Sequence, residues 1–183
     1  MNKRREHIAL VLGLLGLLDG SLAAQDLSPA DLLGSNQNLQ QWTAGRTDAV
    51  YLTQVGQANE AQIQQAGATA AAPNLVRVYQ QGDRQIVQAT QNGQQNRTDV
   101  LQTGQDNLVL SNVQGTGNQT LIVQNGAANV VVQNLTNSTN VQSQFVQNGN
   151  NNRVEQEVVG QTGRTFQVTQ NGNGLNAIIR VGQ

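Results

Sequence analysis

The chain of 183 residues contains no cysteine, only two prolines and 3% aromatic residues. Without cysteine, neither disulfides nor thiolate metal sites can hold it together. Charged residues supply 11% and hydrophobic residues 37%, so large apolar side chains are too scarce for an ordinary globular core. The fold must therefore be stabilised by something other than disulfides or a large apolar interior.

Positive charge is also scarce, and its distribution excludes further classes of function. The only Lys and the only His, Lys3 and His7, lie close to the N-terminus. From Ala24 onward there are seven Arg against nine Asp plus Glu, a net charge of −2, which argues against electrostatic binding of nucleic acid. Because that part has no His, Cys or Lys, and its Asp, Glu, Ser and Thr residues form no recognisable catalytic or metal-binding set, we expect no enzyme activity, cofactor or metal site.

The N-terminal segment has the pattern of a secretory signal peptide. Basic residues at positions 3–5 precede an apolar run over 8–18 and the small residues of Ser21-Leu22-Ala23. The apolar run is too short to span a bilayer. We therefore expect residues 1–23 to be a signal peptide cleaved after Ala23, or alternatively after Ala24, followed by a short leader over 24–33. The mature chain is expected to be secreted and extracellular.

What the chain has in abundance is amide: 22 Asn and 30 Gln, spaced at a short period. Residues 54–67 read QVGQANEAQIQQAG, in which the Gln-x-Gly pair returns after eleven residues. Steps of eleven continue along the chain, except for a fifteen-residue step that contains Pro73 and twelve-residue steps near NGNNN and GQTGR. A fixed short period is typical of solenoids. The units begin at Gln37, Asp48, Asn59, Asn74, Gln85, Asn96, Asn107, Asn118, Asn129, Asn140, Asn152, Arg164 and Leu175.

Within each unit, alternate residues share one face of a strand. In the unit that begins at Asn96, the residues Thr98, Val100 and Gln102 share its face, whereas Asp99 points the other way. A Gly that can adopt positive φ then reverses the chain. We predict an all-β fold, a cross-β solenoid with two strands per rung over residues 34–183. A meander of hairpins in one sheet would satisfy the alternation but not the recurrence of residue types in columns.

The amides have a physical reason in such a solenoid. Identical side chains stack about 4.8 Å apart, so each NH₂ group donates to the carbonyl of the next amide. Carboxylates could not replace them, because a Glu column would bury like charges without donors. We predict one column through Gln54, Gln80, Gln102, Gln124 and Gln170. The complete set of predicted amide-ladder and turn positions is Gln54, Gly56, Asn59, Gln65, Asn74, Gln80, Gly82, Gln91, Gly93, Asn96, Gln102, Gly104, Asn107, Asn118, Gln124, Gly126, Asn129 and Gln170.

Some residues depart from the pattern. Val113 stands where an amide is expected, and four amides stand where aliphatic residues are expected: Gln133, Gln142, Gln144 and Gln156. Phe166 is expected to fill the core and Tyr79 to lie on the outer surface. In the last unit, Ala177, Ile179 and Val181 are expected to point inward and Arg180 outward.

Four carboxylates are expected to point outward. They serve either as gatekeepers against premature assembly or as ordinary solvated charges. They are Asp83, Asp99, Glu155 and Glu157.

The unit Gln54-x-Gly56-x-x-Asn59-x-Ala61-x-x-x-Gln65 resembles the curlin repeat of bacterial curli fibres, and related copies follow over roughly residues 34–183. The resemblance implies a functional amyloid of the biofilm matrix, exported through an outer-membrane pore. The ending LNAIIRVGQ and the irregular early repeat are similar to the minor curlin subunit, which nucleates the fibre, and the leader lacks the Gly-rich composition of major subunits.

The resemblance also implies partners. These are other curlin subunits, both copies of the chain itself and the major subunit, which would pair with open solenoid edges, together with the secretion pore and accessory proteins. No nucleic acid is required. The alternatives are a major fibre subunit, or a monomeric β-solenoid that acts as an adhesin or ice-binding module.

Overall fold

A computed structural model describes residues 48–182. The expected signal peptide over 1–23, the leader over 24–33 and the start of the repeat region over 34–47 lie outside the described residues. The described chain consists of strands joined by turns. The strands are β1 (Asp48–Val55), β2 (Glu60–Ala66), β3 (Asn74–Asp83), β4 (Ile86–Gln94), β5 (Arg97–Gln105), β6 (Leu108–Thr116), β7 (Gln119–Ala127), β8 (Val130–Thr139), β9 (Gln142–Asn150), β10 (Arg153–Val159), β11 (Thr165–Asn171) and β12 (Asn176–Val181).

The strands form two parallel six-stranded sheets. One contains the odd-numbered strands in the order β1-β3-β5-β7-β9-β11, and the other contains the even-numbered strands in the order β12-β10-β8-β6-β4-β2. We call them the odd sheet and the even sheet. Consecutive strands thus belong to different sheets, and each pairs with the strand two further along the chain. This confirms the prediction of an all-β solenoid, with about six turns, and excludes a meander within one sheet.

Successive turns match residues 22 positions apart in the middle of the solenoid, as Gln80 and Gln102 do. The first turn is longer, with a spacing of 26 residues between Gln54 and Gln80. Its extra residues form a small excursion before β3 in which Thr69 and Ala72 make an isolated antiparallel bridge. The step that contains Pro73 is therefore accommodated outside the sheets.

A second irregularity lies elsewhere than the sequence indicated. Along β6 and β8, Val113 pairs with Leu135, but Gly115 pairs with Ser138. The extra residue is therefore in β8, ahead of Asn140, and not at NGNNN. The pairing of β8 with β6 decides where the extra residue is placed. A bulge within β8 allows the inward residues before and after it to keep facing the core.

The unit predicted to begin at Asn140 consequently begins one residue later. The backbone N–H of Val141 donates to Oδ1 of Asn118 at 3.0 Å, in the place expected for Asn140. The frame of β9 shifts with it, so Gln142 and Gln144 point outward. The expectation that these two amides replace inward aliphatic residues was wrong for this reason.

The two sheets enclose a narrow apolar core. Its main cluster runs the length of the solenoid and includes the fully buried Val76, Val109, Ile122, Phe145 and Val154. A second cluster lies at one corner of the later turns and consists of Val113, Leu135, Val141 and Val158, with the partly buried Phe166 and Val181 packed against it. The core is formed by alternate, inward-facing residues of successive strands from both sheets, as the repeat predicts.

The last strand adopts the predicted frame. Ala177 and Ile179 pack against the main cluster, and Val181 packs against the second one. The Arg180 side chain is exposed on the opposite face. Phe166 also contacts the core as expected.

Two outward residues are buried, contrary to the sequence-based expectation. Asp99 is 7% exposed because it receives a bidentate ion pair from Arg77, with Nε–Oδ1 at 2.6 Å and a second bond at 2.8 Å, and a further bond from Arg97 Nε at 2.8 Å. Tyr79 is also buried, at the odd-sheet position between Thr53 and Leu101 on the adjacent strands. The interpretation of Asp99 as a solvated surface charge was therefore wrong.

Candidate functional site

The most regular feature of the molecule is a continuous Gln column in the odd sheet. Each Nε2 donates to Oε1 of the Gln one turn later, at distances of 2.7, 2.9, 2.8, 2.9 and 2.8 Å. We call this the odd column. Its members are Gln54, Gln80, Gln102, Gln124, Gln147 and Gln170.

The sequence analysis placed five of these six residues in one column and omitted Gln147. The omission follows from the misplaced extra residue, because the frame set by Asn140 turns Gln147 outward. In the structure, Gln147 is fully buried and lies between Gln124 and Gln170 in the odd column. The dipeptide Gly149-Asn150 that follows it at the usual Gln-x-Gly spacing was the signal that could have identified it.

The odd column is also bonded to the even sheet. From Gln80 onward, Nε2 of each Gln also donates to the backbone carbonyl of the first residue of an even strand, as Gln80 does to Glu60 at 3.2 Å and Gln102 does to Ile86 at 3.3 Å. An interior Gln such as Gln102 thus uses both donors and its acceptor. The column joins successive turns to one another and joins the two sheets at a corner.

Two Asn columns stand at the starts of the strands. In the column before the odd strands, Asn96 Oδ1 accepts the backbone N–H of Asn118 at 3.1 Å, and Asn96 Nδ2 donates to the carbonyl of Gly115 at 2.8 Å. Each Asn in these columns donates its Nδ2 to a backbone carbonyl at a turn. The side chain thus bonds a backbone group that has no strand partner there. The predicted members that do so are Asn59, Asn74, Asn96, Asn107, Asn118 and Asn129, and Asn152 is a further one.

The turn glycines are required by the same stacking. Gly104 has φ of 113°, and a Cβ placed on it would lie 2.0 Å from the carbonyl oxygen of Gly126. The same close approach to a carbonyl oxygen one turn later recurs at Gly56, Gly82, Gly93, Gly115, Gly126 and Gly149. The predicted turn positions Gly56, Gly82, Gly93, Gly104 and Gly126 all have φ between 113° and 129°.

The equivalent column of the even sheet begins as amide and becomes apolar. Gln65 Nε2 donates to Gln91 Oε1 at 2.9 Å, and Gln91 Nε2 then donates to the hydroxyl of Thr98 at 2.9 Å. We call this corner the even column. After Gln91 the register continues through Val113, Leu135, Val158 and Val181.

Beside the apolar residues of the even column lies Val141, in the place of an Asn. Both sides of this corner therefore change from hydrogen bonding to apolar packing. That change explains why Val113 lacks the amide that its repeat predicts.

The core contains a polar chain that sequence reasoning did not explain. The hydroxyls of Ser111 and Thr120 donate to Gln133 Oε1 at 2.8 and 3.0 Å. Gln133 Nε2 donates to Gln156 Oε1 at 3.0 Å, which also accepts from Ser143 at 2.9 Å. The inward amides Gln133 and Gln156 are thus accommodated by Ser111 on the adjacent strand and by Thr120 and Ser143 on the facing sheet. Those hydroxyls were the available signal.

Within residues 48–182, two buried amide atoms have no hydrogen-bond partner: Gln156 Nε2 and Gln85 Oε1. Gln85 occupies an Asn position in the column before the even strands. Its longer side chain still donates to the carbonyl of Gly104 at 2.9 Å, but its oxygen does not receive the N–H of Asn107. In the next turn Asn107 Oδ1 accepts the N–H of Asn129 at 3.0 Å.

The two ends of the described solenoid differ. The N-terminal edge consists of β1 and β2, and the C-terminal edge of β11 and β12; within residues 48–182 none of these strands has a partner on its outer side. The N-terminal edge carries Gln54 and Gln65 at the two columns. The corresponding residues of the C-terminal edge are Gln170 and Val181.

Two carboxyl groups of the described residues have shifted pKa values. Burial raises the pKa of the Asp48 carboxyl, against the lowering effect of its hydrogen bonds with Asn74. The exposed Asp106 has its pKa lowered by the hydrogen bond from Arg84.

Within residues 48–182 there is no group of three His, Cys, Asp or Glu side chains placed to hold a metal ion. That range likewise contains no helix long and apolar enough to cross a membrane.

The outer face of the odd sheet bears a shallow groove of about 300 Å³ over β5, β7, β9 and β11. Its lining is mostly polar and includes Arg97, Gln119, Gln142 and Gln167. The groove runs across four neighbouring strands, so its amides repeat from turn to turn.

No protein-family model and no curated protein matches the chain. The fold and the stacked columns define the class of the molecule, which is an all-β solenoid with a repeating amide interior.

Proposed function

We propose that the chain is a structural subunit of a curli-type extracellular amyloid fibre. In this proposal it is a secreted, cross-β solenoid with two strands per rung. It is the minor subunit, and it nucleates polymerisation of a major curlin at the cell surface during biofilm formation and adhesion. The observation that carries the proposal is the odd column, which links all six strands of its sheet by amide hydrogen bonds.

The column supports this function because its bonds are the same from turn to turn. A turn such as β5 and β6 is held to its neighbours by parallel backbone pairing, by Gln102 and by Asn96. At an open edge the same groups meet no further turn. Unpaired strand edges template the addition of other strands, so a chain with the same repeat can continue the structure.

The mechanism needs no catalytic group and no cofactor. The partners we propose are other curlin subunits, which dock on the solenoid edges, and, by resemblance, an outer-membrane secretion pore and accessory proteins. A nucleating role is favoured over that of a major subunit by the irregular turns. The first has a 26-residue spacing, and the even column turns apolar after Gln91. A major subunit that stacks on itself indefinitely would benefit from uniform turns.

Two measurements test the proposal on the mature chain, residues 24–183. Fibre diffraction is expected to show a meridional reflection near 4.8 Å. A substoichiometric amount of the chain is expected to shorten the lag of polymerisation of a purified curlin-repeat polypeptide with a Gly-rich leader. The matched control is the same mass of the Gly104→Ala variant, in which the added methyl group would meet Gly126.

The alternatives give different results. Rapid polymerisation of the chain alone without any shortening of the partner's lag would indicate a major subunit. A sharply monomeric species that remains soluble for days at high concentration would indicate an adhesin or an ice-binding module, and would exclude the fibre.

A further inference from the structure

We propose that the outer face of the even sheet is an interaction surface for a second copy of the chain. The second copy packs against it face to face, with its solenoid axis antiparallel to that of the first. This association is lateral, so it goes beyond the nucleating function proposed above and does not depend on it.

The surface is marked by outward aliphatic side chains in a chain that is otherwise rich in amides. In one outward column of the even sheet Ile86, Leu108 and Val130 are neighbours, and in the next column Leu110 and Val132 are neighbours. Ile86 is 41% exposed and the other four are partly exposed. We call these five residues the aliphatic patch. Contiguous apolar surface of this kind marks sites of contact with other molecules.

The repeat itself does not require aliphatic residues at these positions. The first column of the patch has its equivalents in the odd sheet at Arg97, Gln119 and Gln142, which are neighbours there. The inward residues that form the core alternate with the patch and do not include it. The interior therefore gives no reason for the patch, whereas contact with another molecule does.

Charges of opposite sign stand at the two ends of the patch. Glu60 precedes Ile86 in the first column, and Arg153 follows Val130. Glu60 and Arg153 are both exposed, and they lie two strands to either side of β6. The outer face is therefore apolar at its centre, negative at one end and positive at the other.

This arrangement is self-complementary about a two-fold axis that lies along β6. The axis exchanges strands at equal distances from β6, so Ile86 meets Val130 of the second copy and Leu110 meets Leu110 of the second copy. It also places Glu60 opposite Arg153 of the second copy, and the same ion pair forms again at the other end. Opposite charges that meet in this way fix the orientation of two surfaces.

A shallow groove of about 270 Å³ adjoins the patch, and its lining includes Val132, Glu155 and Glu157. Under the same two-fold axis the groove faces β2 of the second copy. Gln62 and Gln64 point outward from that strand, and their NH₂ groups are suitable donors for the two carboxylates. The second copy thus supplies both the apolar and the polar partners that this face needs.

The outer face of the odd sheet is less suited to a second copy. It has an aliphatic column of its own, Leu101, Val123 and Val146, but its buried carboxylate Asp99 is already paired with two arginines of the same face. No charge stands at the opposite end of that column to receive them. The charge pattern therefore favours the even sheet.

The available area is sufficient for a weak but specific dimer. Five strands about 4.8 Å apart, with four outward positions about 6.7 Å apart on each, cover about 650 Å². Two such faces remove about 1,300 Å² from water, which is at the lower end of the range for stable interfaces.

Cross-linking of the freshly refolded mature chain tests the face. The natural chain has no cysteine, so a single introduced cysteine is unique. Leu110→Cys lies on the two-fold axis, and Leu121→Cys is the matched control at the equivalent position of the odd sheet. With a short bismaleimide, Leu110→Cys is expected to give at least about tenfold more covalent dimer than Leu121→Cys. Stacking of solenoids end to end keeps the two Leu110 sites a whole solenoid apart and cannot give this product.

The orientation is tested by mixing two variants, Glu60→Cys and Arg153→Cys. The mixture is expected to cross-link at least about tenfold more than either variant alone. Antiparallel packing brings the two different sites together, whereas identical sites lie four strand spacings, about 19 Å, apart. Each mixed dimer also keeps one of its two ion pairs.

The contribution of the patch is measured as the dimer dissociation constant in analytical ultracentrifugation. Leu110→Gln is expected to weaken the dimer at least about tenfold, and Leu121→Gln to change it less than about twofold. Gln already occupies both columns, as Gln88 beside Leu110 and Gln144 beside Leu121, so both variants are expected to fold.

Several outcomes would overturn the proposal. Equal cross-linking at positions 110 and 121, or a larger effect of Leu121→Gln, would move the interface to the odd sheet. Cross-linking of Glu60→Cys alone at the level of the mixture would exclude the antiparallel arrangement. A wild-type chain that stays monomeric up to about 1 mM would exclude the interface. A complex that forms only after a curlin-repeat polypeptide is added, and that Leu110→Gln weakens, would replace the second copy by that partner.

Failure of this inference and failure of the proposed function are distinguishable. A chain that shortens the lag of a curlin-repeat polypeptide but gives no cross-link through Leu110→Cys nucleates without the lateral interface. A chain that cross-links as expected but shortens no lag has the interface and lacks the nucleating function.

Discussion

Gln80 Nε2 donates to Gln102 Oε1 at 2.9 Å, with both side chains fully removed from solvent. The two residues are 22 positions apart in the chain and adjacent in the odd sheet. A buried amide is costly when unpaired and stabilising when each of its polar atoms is bonded. This bond, repeated along the odd column, lets a chain poor in large apolar residues maintain an interior.

Gln102→Leu is expected to destabilise the solenoid by about 3 kcal/mol, because it leaves Gln124 Oε1 and the carbonyl of Ile86 without their donor. Urea unfolding of freshly refolded monomer measures the change. The control is Gln105→Leu, whose side chain is exposed and whose effect is expected within about 0.5 kcal/mol. Equal effects of the two substitutions would show that the column contributes nothing specific.

Gly104→Ala is expected to cost more than about 3 kcal/mol or to prevent folding, since its methyl group would lie 2.0 Å from a backbone oxygen. Gly163→Ala is the matched control. Its φ is also positive, at 64°, but nothing lies within 4 Å of the added atom, so a cost of about 1–2 kcal/mol is expected from the backbone alone. Circular dichroism and urea unfolding compare the two. Similar costs would mean that contact between successive turns is not the constraint.

Gln85→Asn is expected to stabilise the chain by about 1 kcal/mol. The Gln85 oxygen is buried without a partner, and an Asn in this column accepts the N–H of the next turn, as Asn107 does. The midpoint of urea unfolding is expected to rise with an unchanged slope. The reverse substitution, Asn107→Gln, serves as the control and is expected to be destabilising. A lower midpoint for Gln85→Asn would contradict the argument.

Asp99→Asn is expected to cost about 3 kcal/mol or more, because it removes a buried carboxylate that binds both Arg77 and Arg97. Asp106→Asn is the matched control, since Asp106 pairs with Arg84 on the surface, where ion pairs contribute little. Asn also tolerates the positive φ of Asp106. Unfolding in 1 M salt is expected to reduce the effect at Asp106 and leave most of that at Asp99. Equal costs at the two positions would show that burial of Asp99 is unimportant.

The pH dependence concerns Asp48, whose pKa is raised in the folded chain by burial. The folded state therefore binds the proton more tightly than the unfolded state, and its stability falls as the pH rises through the interval just above the ordinary carboxyl pKa of about 4. Asp48→Asn removes this penalty. The new Asn side chain also stands 19 residues before Gly67. Asn74 donates to the carbonyl of Gly93 at the same spacing, so an equivalent bond to Gly67 is expected. The variant is expected to be more stable than wild type at pH 7, with a smaller difference at pH 3. A difference independent of pH would exclude the carboxyl charge as the cause.

Particular residues show how far the repeat predicted the site. Gln54, Gln80, Gln102 and Gln124 could be placed in one column because their spacing and alternation are local properties. Gln147 could not, because its frame depends on where β8 accommodates an extra residue. The ion pair of Asp99 with Arg77 was equally inaccessible, since alternation assigns a face to each side chain but not its neighbours one turn away.

The sequence by itself determined the period, the strand faces of the regular turns before the bulge and the need for glycine at the turns, since these follow from side-chain alternation and from the conformations that each residue can adopt. Tertiary structure alone decided the register between turns, the site of the bulge and the packing of Leu135, Val141 and Val158 around Val113. The reason is that hydrogen bonds between turns join residues 19 or more positions apart, and their partners exist only when the sheets have formed.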